Sequence, residues 1–168
     1  SGDLSRYTCL VFPRGRTSLT PKLREWIQAG GTAVLLGAPD WMLGDKGLVP
    51  LESKDVADLP GALFRADLDL RLPLTYGYDG KRFAIPVAGS SFFERRREGG
   101  AVVAIREAAK PLSGWFWPDE TEQDVEDTVW VHDQPVGRGR VVIFAQDPSE
   151  RAMWPGLDKL LLNAMVLG

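Results

Sequence analysis

The stretch "TAVLLGAPDWMLG", Thr32 to Gly44, sets the reading of this chain. Its first half, TAVLLG, is apolar at nearly every position, so a strand here needs cover on both faces. That is the pattern of a central parallel strand between helix layers. Its second half, Gly37-Ala38-Pro39-Asp40-Trp41, falls where such a strand hands over to a turn. In many α/β hydrolytic folds that turn carries the nucleophile. Here it offers no Ser, Cys or Thr, and Pro39 also removes a backbone N–H that an oxyanion could use.

Outward from this stretch the order reads βαβ. "YTCLVF", Tyr7 to Phe12, predicts a short buried strand ending at Pro13-Arg14-Gly15. Thr20-Pro21 has the form of an N-cap followed by proline at the first helical position. The helix "PKLREWIQA" sets Leu23, Trp26 and Ile27 on one face and stops at Gly30-Gly31. Beyond Gly44, residues 45–60 are polar and proline-punctuated, and predict a short helix around Ser53 to Leu59. "GALFRADLDLRLPL" alternates as a half-exposed strand does, and "RFAIPVAGSSFF" and "AVVAIRE" are further strands. "DTVWVHDQPV" and "GRVVIFAQD" flank Gly137-Arg138-Gly139 as a hairpin. "LDKLLLNAMVL", Leu157 to Leu167, closes the chain as a helix with a broad apolar face.

Composition bounds the function classes. The 168 residues suffice for one domain with a proper core; 44% are hydrophobic and 26% charged. A net charge of -3 does not favour nucleic acid. The basic run Glu94-Arg95-Arg96-Arg97-Glu98 is brief and acid-flanked, the pattern of a solvated loop. No apolar run reaches the roughly 18 residues that a bilayer span needs. One cysteine and one histidine cannot build a Cys/His zinc site or an internal disulfide within one chain.

Three segments, "DLSRYTCLVFPRG", "LREWIQAGGTAVLLG" and "PVGRGRVVIFAQDPSERAMWPGLDKLLLNAMVLG", carry a family resemblance by their order and spacing. Together the chain resembles the class I glutamine amidotransferase-like domain found at the C-terminus of some bacterial zinc carboxypeptidase-like proteins. Related domains occur in the middle of certain β-galactosidases. "PGALFRADLDLRLPLTYGYDG" and "LSGWFWPDE" fit the carboxypeptidase-associated version best. The resemblance implies a flavodoxin-like three-layer sandwich whose first βα unit is missing or lies upstream, and a longer, exported parent with a separate metallopeptidase domain. An active amidotransferase of that class places a cysteine in a Gly-x-Cys-x-Gly turn, oriented by a His and a Glu. The matching turn in this chain holds Ala38 and Pro39.

The candidate chemistry is therefore thin. Asp40 lacks a histidine partner from a matching motif and reads as a capping or loop-closing residue. Cys9 lies inside an apolar strand, where a free cysteine packs as a small hydrophobe. His132 alternates with Val129 and Val131, which puts it with Trp130 on the more exposed face of its strand. "PRGRTS" sits between a strand and a helix but contains no nucleotide-binding glycine pattern. Binding is the stronger expectation. Loops beyond the carboxyl ends of parallel strands line a crevice. Here they would gather Arg14 and Arg16, then Asp40 and Trp41, and also Asp147 and Arg151 if the strand before them is parallel to the first two. For that last segment a structural reading is favoured, with Asp147 as a cap and Arg151 paired with a carboxylate. Trp115 and Trp117, in "SGWFWPDE", belong to a chain with six tryptophans; they either cover the antiparallel sheet or form a ligand platform or protein interface.

The expectation is one α/β domain over residues 1–168, flavodoxin-like, with a partly parallel sheet and an antiparallel extension, cut from a longer protein. Its expected role is non-catalytic: packing, oligomerisation or substrate presentation within a zinc carboxypeptidase-like protein. The alternatives are a small hydrolase or amidase using Asp40 or His132, and a carbohydrate-binding module using Trp115 and Trp117. No cofactor and no metal is expected. The expected partners are the parent's other domains and a second copy of the chain, not nucleic acid and not a membrane span. The residues leave the compartment open.

Overall fold

Five consecutive buried residues, Thr32–Leu36, form strand β2, flanked on both sides by parallel neighbours. One neighbour is β1 (Cys9–Phe12), the edge of the sheet; the other is β8 (Gly139–Phe144). A strand buried on both faces has no polar side to show, which is why TAVLL is apolar throughout. Burying each such Val or Leu is worth about 1.5–3 kcal/mol. The computed structural model describes residues 3–14, 18–37, 43, 47–95, 100–105, 110–117, 124–149 and 154–167. Among these are eight strands and two α-helices, α1 (Pro21–Gln28) and α2 (Pro155–Val166).

Local chemistry sets α1. The Thr20 hydroxyl accepts from the Leu23 N–H at 3.2 Å, Pro21 opens the helix, and Leu23 and Ile27 are buried. The Trp26 indole donates to the Tyr7 carbonyl at 3.0 Å, tying the helix to the segment entering β1. Gly31 is needed beneath that ring, since a Cβ there would lie 2.4 Å from it.

The rest of the sheet is antiparallel and curls. Its strands are β3 (Leu51–Leu68), β4 (Arg82–Arg95), β5 (Ala101–Ile105), β6 (Ser113–Trp115) and β7 (Thr128–Val136). The sheet order is β1-β2-β8-β7-β4-β3-β5, with β6 on β3 and an additional β7–β5 pairing. Thus β7, β4, β3 and β5 close a circuit of pairings around a core that includes Phe64, Ile85 and Val102. A 3-10 turn, Pro73–Thr75, follows β3 and is held against α2, where the Asn163 amide donates to the carbonyls of Leu74 and Tyr76.

The expected hairpin is present, Val136 pairing with Gly139 across Gly137-Arg138. Its glycines also serve a tertiary contact. The Arg138 N–H donates to the Gln28 carbonyl at the end of α1, and a Cβ on Gly139 would fall 2.1 Å from the Ile27 carbonyl oxygen. The backbone of the turn is pressed against the helix end.

Two expectations are corrected. Ser53 to Leu59 is extended, not helical, and belongs to the 18-residue β3. Register shifts between Asp55 and Leu59, and between Leu59 and Ala62, break the period of two. The buried pair Val56 and Leu59 therefore stands at helical spacing on a strand. The mixed α/β class holds, with parallel pairing of β1, β2 and β8 and antiparallel pairing elsewhere. The flavodoxin-like three-layer sandwich is not clearly formed: a curled mixed sheet dominates and only two helices cover it among the described residues.

Candidate functional site

Because β8 runs parallel to β2, and β2 to β1, the three strands deliver their carboxyl ends to one edge. Arg14 follows β1, Gly37 follows β2, and Ala145-Gln146-Asp147 follows β8. Gly37 adopts φ 89, a value that favours glycine, and its N–H donates to the Phe144 carbonyl at 2.7 Å. The Arg14 side chain lies across it, with Cγ 3.4 Å from where a Cβ on Gly37 would stand. The edge therefore brings Arg14 against Gly37, with Asp147 three residues beyond the end of β8. Arg16, Asp40, Trp41 and Arg151 lie outside the described residues.

Next to this edge is an open groove of about 290 Å³. Gly61 and Ala62 of β3 and Gly114 of β6 line it with almost no side chain, while Gln146, Asp147 and Trp154 line it from the β8 loop. Two of these groups are held in place. The Gln146 carboxamide accepts from the Ala88 N–H at 3.2 Å and donates back to the Ala88 carbonyl, acting as an added rung on β4. Asp147 Oδ1 accepts from the Ser149 N–H at 2.9 Å and from its hydroxyl at 2.7 Å.

Trp115 ends β6, one residue beyond Gly114. It is 64% exposed and meets Trp117 edge to face, the ring centroids 6.3 Å apart and the planes at 88°. The Trp117 indole donates to the Asp58 carbonyl at 2.9 Å. The two expected platform residues are thus in contact, Trp115 at the end of β6 and Trp117 two residues beyond it.

The nucleophile and base candidates lie elsewhere. His132 is 1% exposed, contrary to the expected open face, because β7 is covered on both sides: Val129, Trp130, Val131 and His132 are all buried. Its Nε2 is 3.4 Å from Gln134 Oε1, and its ring fills the space that a side chain at Gly100 would need. Cys9 is half-buried, and desolvation pushes its thiol above the ordinary value, away from thiolate chemistry. Among the described residues no cluster of His, Cys, Asp or Glu could hold a metal ion, and no helix is long and apolar enough to cross a membrane.

Sequence reasoning missed the groove. Its signal was the pair of glycines, Gly61 and Gly114, inside strands, where glycine marks close backbone approach. Which strands they joined could not be read from the pattern.

The fold has counterparts among solved structures. A ThuA-like protein from Parabacteroides merdae matches with a TM-score of 0.60 at 12% identity, over 97% of this chain and 70% of that one. A cytoplasmic protein from Salmonella typhimurium matches with a TM-score of 0.58 at 13% identity, over 98% of this chain and 72% of that one. A β-galactosidase from Bacillus circulans sp. alkalophilus matches with a TM-score of 0.57 at 16% identity, over 97% of this chain. The chain spans 23% of that enzyme's length. No family model and no curated protein matches the sequence. These findings overturn the resemblance to a glutamine amidotransferase-like domain of zinc carboxypeptidases. The similar structures are ThuA-like and β-galactosidase-type domains, and at such identities they speak for the fold alone.

Proposed function

We propose that this chain is a non-catalytic binding or interaction domain acting through the carboxyl edge of its parallel strands. Its partners would be other domains of a larger protein or a second copy of itself, with nucleic acid disfavoured by the net charge of -3. The observation that carries the reading is the position of His132. The one side chain with an ordinary pKa near neutrality is sealed inside the curled sheet, 1% exposed and packed against Gly100. At the edge itself, Asp147 is held by Ser149 and no imidazole stands beside it among the described residues.

A surface for association supports the same reading. The edge strand β1 exposes Val11, and α2, which packs on it, exposes Leu162, Val166 and Leu167. The parallel β1–β2–β8 portion with its two helices is read as the part closest to a flavodoxin-like arrangement.

The test is a panel of nitrophenyl esters, anilides and glycosides offered to the purified chain. The expected result is no turnover above buffer. Turnover abolished by Asp40→Asn or His132→Gln would establish the hydrolase or amidase alternative in its place.

A further inference from the structure

We propose that the groove between the β8 loop and the β3–β4–β6 surface binds a neutral sugar ring. The proposal rests on the reading of this chain as a binding domain and names the ligand class for that same edge.

Size comes first. About 290 Å³ is at the lower end of small-molecule pockets, room for one or two rings rather than a dinucleotide. The floor is flat for a structural reason. A Cβ on Gly114 would fall 2.5 Å from the Gly61 carbonyl oxygen and 2.6 Å from the Ala62 Cα, so β6 and β3 touch backbone to backbone. A surface of peptide planes beside the apolar Leu63, Pro86 and Val87 suits the C–H face of a pyranose.

The wall supplies the polar half. Asp147 is the charged residue among the described lining residues, and as a carboxylate it only accepts hydrogen bonds. It therefore suits a ligand rich in hydroxyl donors and repels phosphates and carboxylates. Both wall groups are pre-oriented, Asp147 by Ser149 and Gln146 by the Ala88 backbone, so little ordering remains for binding to supply.

Aromatic rings complete the surface. Trp154 lines the groove, and Trp115, the residue after the lining Gly114, ends β6 and meets Trp117 edge to face. Exposed indole faces stack on sugar rings. The edge-to-face arrangement turns one ring face toward its neighbour's edge, leaving single faces that fit a stacked ring better than a cage around an ammonium group.

The 168-residue chain is titrated with glucose, galactose, mannose, cellobiose and tetramethylammonium, followed by tryptophan emission and calorimetry. At least one sugar is expected to give a saturable response, weakened about tenfold by Trp154→Ala and by Asp147→Asn. The Asn retains an oxygen for the Ser149 N–H, so its effect reports the lost charge rather than a lost turn. Tyr76→Ser, at an exposed position outside the groove lining, is expected to bind as the wild type does. Absence of any saturable response at about 0.1 M sugar would overturn the proposal. So would a response untouched by both groove variants, or one to tetramethylammonium alone. Silence toward sugars leaves the non-catalytic reading standing; turnover of glycosides sinks that reading instead.

Discussion

Arg140 Nε on β8 lies 3.3 Å from Asp133 Oδ1 on β7, an ion pair whose carboxylate side chain is 5% exposed. The contact lacks hydrogen-bond geometry, and Arg140 also donates through Nη1 to the Leu167 carbonyl at the end of α2. Burial is the larger influence on Asp133 and raises its pKa above the ordinary 3.8; the Arg140 charge only partly opposes this.

The sign of the pH dependence follows. The folded chain holds the Asp133 proton more tightly than the unfolded chain, so this group's stabilisation is present below the ordinary value and is lost as pH rises through the folded one. Urea unfolding from about pH 4 to pH 7 is expected to show wild type losing stability relative to Asp133→Asn as pH rises. A relative gain for wild type over that range would contradict it.

Tyr78 gives a second pH-dependent prediction at the alkaline end. Its hydroxyl donates to the Gly156 carbonyl, and burial pushes its pKa from 10.0 to about 12, with the Asp158 charge adding to the rise. The neutral phenol is the form that the fold favours. Its contribution is therefore complete below pH 10 and lost as pH rises through about 12. Absorbance of phenolate should show one late step, and Tyr78→Phe should remove it.

Gly139→Ala is expected to cost at least about 2 kcal/mol, because the atoms in the way are the backbone oxygens of Ile27 and Gly31. Gly156→Ala is the control. It lies in α2 with nothing within 4 Å of an added Cβ, so it should be neutral or stabilising by up to about 1 kcal/mol. Denaturant midpoints for the pair check both.

Gln146→Ala removes both hydrogen bonds to Ala88. Since Ala88 is exposed, water replaces the amide, and the expected loss is about 1 kcal/mol. The sharper readout is local: hydrogen exchange at the Ala88 amide should accelerate, while the amides of β2 keep their protection.

Much of the parallel portion was legible. TAVLL announced a strand covered on both faces, Thr20-Pro21 and Gly30-Gly31 bracketed α1, and Gly137-Arg138-Gly139 marked a hairpin. Each is a local rule of period, capping or turn chemistry. The reading failed where long-range pairing overrode the local pattern. Bulges in β3 disguised a strand as a helix, and the curl of the sheet buried a histidine that simple alternation had placed outside. Of the candidate site, Asp147, Trp115 and Trp117 were named from residue type and position. The glycine floor that links their surroundings was not.

The sequence by itself determined the succession β1–α1–β2 and the absence of Ser, Cys or Thr from the turn after β2, since hydrophobic period and residue identity are written locally. Only the tertiary structure decided that β8 runs parallel to β2, bringing Phe144 beside Gly37 and Asp147 to the same edge. It also decided that Gly61 meets Gly114, forming a floor beneath Gln146 and Trp154. Strand partners far apart in the chain are chosen by which pairings close a common core. That is a property of all the strands together, and no single segment records it.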